Sequence, residues 1–208
     1  MYNILKRIID ILFSVIALIT LSPLLIGIAF GIKISSKGPI IYKQQRIGFK
    51  GKPFYFYKFR TMKVEDIDEI RKRELLQFLS DDLNKNKSIK ISHFILRDSR
   101  ITSIGRILRR TSLDELPQLV NVLKGDMSLV GPRPVLPYEY EHYSENNKKR
   151  FQIMPGLTGL WQILGRSSLQ LQEIIKLDLE YIDKRSLMLD LKIILKTITQ
   201  ATSGKNYR

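Results

Sequence analysis

Between Ile8 and Ile32 the chain reads IIDILFSVIALITLSPLLIGIAFGI, an apolar stretch whose only charge is Asp10. At about 1.5 Å of rise per residue, one straight helix of this length would cross roughly 30 Å of hydrocarbon. Three structures compete for such a segment: a cleaved signal peptide, a spanning helix, and a kinked helix that enters and leaves a bilayer by the same face. A signal peptide has a shorter apolar region and a small-residue cleavage site, and neither is clear here. Ser22-Pro23 falls inside the run, where proline removes a helical hydrogen bond and clashes with the preceding turn. It divides the run into two legs, each too short to cross alone. Lys6 and Arg7 precede the run and Lys33 and Lys37 follow it, so both ends carry the basic residues that mark the cytoplasmic side. A re-entrant helix broken at Ser22 and Pro23 meets both observations. On these residues alone a proline-kinked spanning helix stays open.

The rest of the chain has the means to fold. At 208 residues and 44% hydrophobic it can build one compact domain beside an appendage. Lys and Arg total 35 against 20 Asp and Glu, a net charge of +15, which favours a nucleic acid, a phosphorylated substrate or an acidic lipid surface. No nucleic-acid module signature is present, and no nucleic-acid partner is expected. The absence of cysteine excludes a disulfide framework and thiolate zinc sites. His93 and His142 are far apart and outside any metal-ligand spacing, which favours structural or incidental roles.

Ser35-Ser36-Lys37-Gly38-Pro39 ends the apolar region. IIYKQQRIG and PFYFYKFRTM, separated by Phe49-Lys50-Gly51-Lys52, predict a β-hairpin. Residues 65–83 predict a charged helix and 84–92 a loop. A short helix from Arg100 carries Ile101, Ile104 and Leu108 on one side and Arg106, Arg109 and Arg110 elsewhere. The next helix, starting near Leu116, stops at Gly125. Then come a Gly/Pro loop from Leu129 to Pro137, a charged helix from Tyr138 to Phe151 and a glycine-rich connection from Met154 to Gly165. Two helices fill Ser168 to Thr202. The last, with Lys192 and Lys196 among Leu191, Ile193, Ile194 and Leu195, suits either a surface or a core. The fold class is α+β, mainly helical: a small domain with a β-hairpin, a broken N-terminal helix and amphipathic helices.

Thr111-Ser112-Leu113-Asp114-Glu115-Leu116-Pro117 carries the chemistry. Ser112 and Glu115 have capping-box spacing, so both acids could merely start a helix. Pro117 suits a first helical position, which would leave both carboxylates at the helix mouth. Arg109 and Arg110 lie just upstream, and Gly131-Pro132-Arg133-Pro134 lies downstream. A proline-flanked arginine has its backbone held while its guanidinium reaches for a phosphate. Arg60, within Lys58-Phe59-Arg60-Thr61-Met62, is a second such group if the hairpin faces the same pocket. Lys58 and Arg110 complete this phosphate-binding set. Paired carboxylates among cations suggest magnesium bridging phosphate oxygens, with one carboxylate free as nucleophile or base. Trp161 suits base stacking, an interfacial anchor or core packing.

The stretches KGPIIYKQQRIG, YKFRTM, DSRITSIGRILRRTSLDELPQLVNVLKGDMSLVGPRP and PGLTGLWQILGR, in this order, resemble the bacterial sugar transferases, the monotopic phosphoglycosyl transferases. The resemblance covers nearly the whole chain and is to the family's small form. It implies a two-step transfer of sugar-1-phosphate from a nucleotide diphosphate sugar, uridine being the expected base, to a polyprenyl phosphate, typically undecaprenyl phosphate. It implies Asp114 as nucleophile, Glu115 as a magnesium ligand, Arg60 as a phosphate-binding group and Arg133 as a substrate-binding group. It further implies a re-entrant membrane helix broken at the Ser-Pro pair, on the cytoplasmic leaflet of the bacterial inner membrane. On that reading residues 1–37 form the membrane segment and residues 38–208 the cytoplasmic catalytic domain with interfacial C-terminal helices. A homo-oligomer is compatible with the chain, and the sugar is not legible. The rival from another class is a non-catalytic membrane scaffold that binds acidic lipids or a glycan-assembly complex. It accounts for the charge and the N-terminus but leaves the acid pair without a reason.

Overall fold

The computed structural model describes residues 2–63, 100–165 and 169–202. The helix expected over 65–83, the loop over 84–92 and His93 lie outside these. The apolar run forms α1 (Tyr2–Thr20) and α2 (Ser22–Ser35), bent by 63° between them. Pro23 has no N–H to give the carbonyl of Ile19, one turn back. The Ser22 hydroxyl donates to that carbonyl instead, at 2.8 Å, so the bend leaves no orphaned acceptor there. No single described helix is long and apolar enough to cross a membrane, whereas the bent pair together has the length and composition.

The first leg is bolted to the domain by its polar residues. Lys6 pairs with Asp190 at 2.8 Å, and Asp10 Oδ1 accepts the backbone N–H of Leu129 at 3.2 Å. The Arg7 guanidinium donates to the carbonyls of Val122 (2.6 Å) and Leu123 (3.0 Å), capping the helix that ends there. Thus the charge inside the apolar run is buried against protein. Outward, α1 presents Ile4, Ile8, Leu12, Ile16 and Ile19, and α2 presents Ile26, Phe30 and Ile34, all exposed. These are one-sided apolar stripes at helical spacing.

The expected hairpin is present: β1 (Ile41–Ile47) and β2 (Pro53–Phe59) pair antiparallel, with Ile41 opposite Phe59 and Ile47 opposite Pro53. α3 (Ser103–Thr111) begins at Thr102, whose hydroxyl accepts the Gly105 N–H at 3.0 Å. Gly105 lets α3 lie against the chain after β2: a Cβ there would meet the Thr61 carbonyl oxygen at 2.0 Å. α4 (Gln118–Lys124) stops at Gly125, in the left-handed region at φ 86° as expected.

Elsewhere the structure corrects the expected elements. The helix placed near Leu116 starts after Pro117, and a 3-10 turn, Leu113–Glu115, comes first. The loop and connection around 129–137 and 154–165 contain β3 (Ser128–Val130) and β4 (Gly156–Thr158), which pair in parallel. Val135 of that loop also bridges Ile47. The charged helix over Tyr138–Phe151 is broken into α5 (Pro137–Glu141), α6 (Glu145–Lys148) and a 3-10 turn, because Tyr143 and Phe151 turn inward to a shared cluster with Ile47, Val135 and Ile175. α7 (Leu160–Leu164) follows β4, and the tail forms α8 (Leu171–Lys184) and α9 (Leu187–Thr202). α9 serves both alternatives at once: Ile193 is fully buried, while Met188, Leu191, Leu195 and Ile198 form an exposed apolar stripe beside exposed Lys192 and Lys196. The main core joins Phe56 of the hairpin, Leu119 and Val122 of α4, both short strands, and Tyr181 and Ile193 of the tail. At roughly 1.5–3 kcal/mol for each buried large apolar side chain, this cluster fixes the elements around the carboxylate turn.

Candidate active site

Ser112 explains how the carboxylates reach their place. Its backbone is left-handed (φ 59°, ψ 17°), an uncommon conformation for a residue with a Cβ. It ends α3 and turns the chain into the 3-10 segment, and its side chain makes no cap hydrogen bond there. The capping box therefore does not form. The Ser112 turn presents Asp114 and Glu115 on successive residues to the end of β2.

There Lys58 Nζ lies 2.6 Å from Glu115 Oε1 and 3.6 Å from Asp114 Oδ2. Arg133 Nη1 reaches the same Glu115 oxygen at 3.4 Å. Burial pushes the Glu115 carboxyl upward, but Lys58 and Arg133 outweigh it and hold its pKa down at about 2. Asp114, only 8% exposed, is pushed above the usual carboxylate range by burial; Glu115 adds to the rise, while Lys58, Arg109 and Arg133 oppose it. The two acids are thus unequal. Glu115 is tied into a cation cluster, and Asp114 is held more loosely.

Lys58, Asp114, Glu115 and Arg133 come together as a group. Arg60 lies on the wall of the same cavity, and its Nη2 donates to the Ser36 carbonyl (2.7 Å) and to the Ser36 hydroxyl (3.0 Å), just beyond α2. Its Nε and Nη1 are buried without a hydrogen-bond partner among the described residues, so the fork keeps donor capacity at that wall. Arg110 is exposed on α3 and does not line the cavity. Arg109 takes that place, donating from Nε to the Thr61 hydroxyl at 2.9 Å. The spacing held a signal for this: Arg109 falls one helical turn after Gly105, on the face pressed to Thr61. His142 is exposed, with Nδ1 2.7 Å from the Tyr138 carbonyl.

The cavity measures about 690 Å³. One side carries the acids and cations. The other is apolar, built from Phe13 and Ala17 of α1, Leu21 at the bend, and Ile194 and Ile198 of α9. Trp161 also lines it, half-buried, and its indole N–H has no partner among the described residues. Among the described residues no group of three or more His, Asp or Glu side chains is arranged to hold a metal ion. A two-carboxylate donor set still suits magnesium, which commonly takes one or two carboxylates and completes its shell with waters and substrate phosphates.

The family model for bacterial sugar transferases matches residues 1–204. The chain is 44% identical over 200 residues to a galactosyl transferase, CpsE, of Streptococcus agalactiae, covering 96% of this chain and 42% of that one. It is 40% identical over 193 residues to the exopolysaccharide production protein ExoY of Sinorhizobium fredii, covering 93% and 83%. It is 38% identical over 211 residues to the UDP-glucose:undecaprenyl-phosphate glucose-1-phosphate transferase of Escherichia coli, covering 98% and 41%. The chain thus spans less than half the length of two of these relatives and most of the third.

Proposed function

The chain belongs to the bacterial sugar transferase family, and from that premise we propose that it moves a sugar-1-phosphate from a uridine diphosphate sugar to a polyprenyl phosphate such as undecaprenyl phosphate. The observation that carries this reading is the cavity's division. A diphosphate suits the side with Lys58, Arg60, Arg109 and Arg133, and an isoprenoid suits the side formed by α1 and α9.

In the first step an oxygen of the Asp114 carboxylate attacks the phosphorus that bears the sugar. A P–O bond forms to Asp114, and the P–O bond to the nucleoside monophosphate breaks, its electron pair leaving with that phosphate. In the second step a phosphate oxygen of the polyprenyl phosphate attacks the same phosphorus and Asp114 leaves as a carboxylate. The product is a polyprenyl diphosphate sugar. Lys58 orients the acid pair, and Arg133 and Arg60 supply donors for the phosphate oxygens. Glu115 would hold magnesium, which when bound would neutralise charge on the diphosphate.

We place the enzyme on the cytoplasmic leaflet of the bacterial inner membrane, with residues 1–37 as a re-entrant helix and 38–208 as the catalytic domain. The 63° bend, the Ser22 bond that satisfies its freed carbonyl and the exposed stripes on α1, α2 and α9 support this. The test is reconstituted protein in lipid nanodiscs, given a panel of uridine diphosphate sugars, undecaprenyl phosphate and magnesium. Uridine monophosphate release should depend on Asp114 and on magnesium. Near-normal turnover by Asp114→Asn would sink the covalent route.

A further inference from the structure

Arg133 is gripped from behind as well as paired in front. Its backbone carbonyl accepts from Arg150 Nη2 at 3.2 Å. Arg150 is 2% exposed and pairs with the carboxylate of Asp178 on α8, itself 1% exposed; its Nη1 donates to the Tyr143 hydroxyl at 2.8 Å. The loop around Arg133 is tied at both ends. Gly131 N–H donates to the Thr158 carbonyl at 2.9 Å, Gly156 N–H to the Pro132 carbonyl at 2.8 Å, and Val135 exchanges bonds of 2.8 and 3.3 Å with Ile47. Pro132 and Pro134, on either side of Arg133, have no N–H to bond with. A carbonyl is therefore the natural handle on this stretch, and a guanidinium fork is the donor with fixed geometry.

We propose that Arg150, held by Asp178 and Tyr143, is a positioning residue that fixes the backbone of Arg133 so that its guanidinium stays beside Glu115 and the donor's phosphates. A buried ion pair is a poor device for stability alone, since apolar replacement of both partners is often neutral or stabilising. Here the pair does something an apolar pair could not: it presents an N–H to the carbonyl of a site residue. The inference rests on the proposed function, because it takes Arg133 as a phosphate-binding group.

The test uses the full chain in nanodiscs and replaces the pair together, Arg150→Met with Asp178→Leu, which removes the grip without stranding a buried charge. For the uridine diphosphate sugar, kcat/KM should fall roughly tenfold to a hundredfold, as expected when a binding group shifts by about an ångström. In an Arg133→Ala background the same pair of changes should cost less than about twofold, because the two act through one group. Hydrogen exchange should rise over 131–135 and not across the core. An unchanged kcat/KM, or an equal loss in both backgrounds, overturns the proposal. If the double variant fails to fold, Asp178→Asn takes its place, with an expected loss of about threefold to tenfold that again vanishes without the Arg133 side chain. If the unaltered chain releases no nucleoside monophosphate from any donor, the proposed function fails. Exchange over 131–135 then decides the grip alone, a rise confined to that loop supporting it and no rise overturning it.

Discussion

Two charged clusters in this molecule are made of the same ingredients. At the mouth of the cavity Asp114 and Glu115 face Lys58 and Arg133; behind it Asp178 faces Arg150 and Tyr143. In the rear cluster one carboxylate meets one guanidinium with no cavity wall beside them, and burial, resisted by Arg150, lifts Asp178 to about 6. In the front cluster a single oxygen of Glu115 takes both near cations, and Asp114 is left with a 3.6 Å approach to Lys58 and an open space ahead. The acid with unspent capacity is the one read as nucleophile. Charge alone would not separate the two clusters; burial and the share of bonding capacity already used do.

The sharpest way to break the comparison is to remove each cluster's acid or base and ask which property moves. Asp114→Asn should lower turnover by at least about 10⁴-fold, as loss of a nucleophile does, and leave the melting temperature the same or higher; nucleoside monophosphate release and a thermal melt measure both. Arg150→Met alone should cost about 3–5 kcal/mol of stability, since it strands Asp178, and adding Asp178→Leu should recover most of it. Denaturant or thermal unfolding in nanodiscs reads that pair, and equal destabilisation of both variants would contradict the picture. Lys58→Met should cut kcat about 10²–10³-fold, the usual effect of losing one well-placed cation or donor, with Lys58→Arg recovering part of it.

The smallest expected effect is a pH dependence. The folded Asp178 has its pKa raised from 3.8 to about 6, so its stabilising contribution is full below about 4 and is lost as pH rises through about 6. Compared with Asp178→Asn, which cannot titrate there, the unaltered protein should gain melting temperature between pH 7 and pH 5. A difference that stays flat over that window would place the Asp178 pKa elsewhere.

What was legible in the residues is what local chemistry decides. Pro23 breaks its helix because it lacks an N–H, Gly125 stops one because it tolerates positive φ, and the hairpin follows from two β-rich runs. The acid pair was legible together with Lys58, Arg60 and Arg133, and Arg110 was wrongly counted among its cations. The geometry of the acid turn was not, because Ser112 adopts a left-handed conformation that its side chain does not announce and that tertiary packing imposes. Arg109 and Arg110 are neighbours in a charged stretch, and only the close approach of Gly105 to Thr61 decides which faces the site. β3 and β4 are three residues each, paired across a long separation, too short to show a period. Arg150 stood inside a run that read as a charged helix, and only its inward turn with Phe151 made it a core residue.

The three polar bolts of α1 bear on modularity. Removing residues 1–37 would uncap the end of α4 at Val122 and Leu123, free the Leu129 N–H in the core, and leave Asp190 without Lys6. These are supports of α4, which follows the carboxylate turn, and of β3 and α9. The N-terminal segment is therefore an internal brace of the fold. Exchanging it for an unrelated hydrophobic helix would keep the apolar surface and lose the brace.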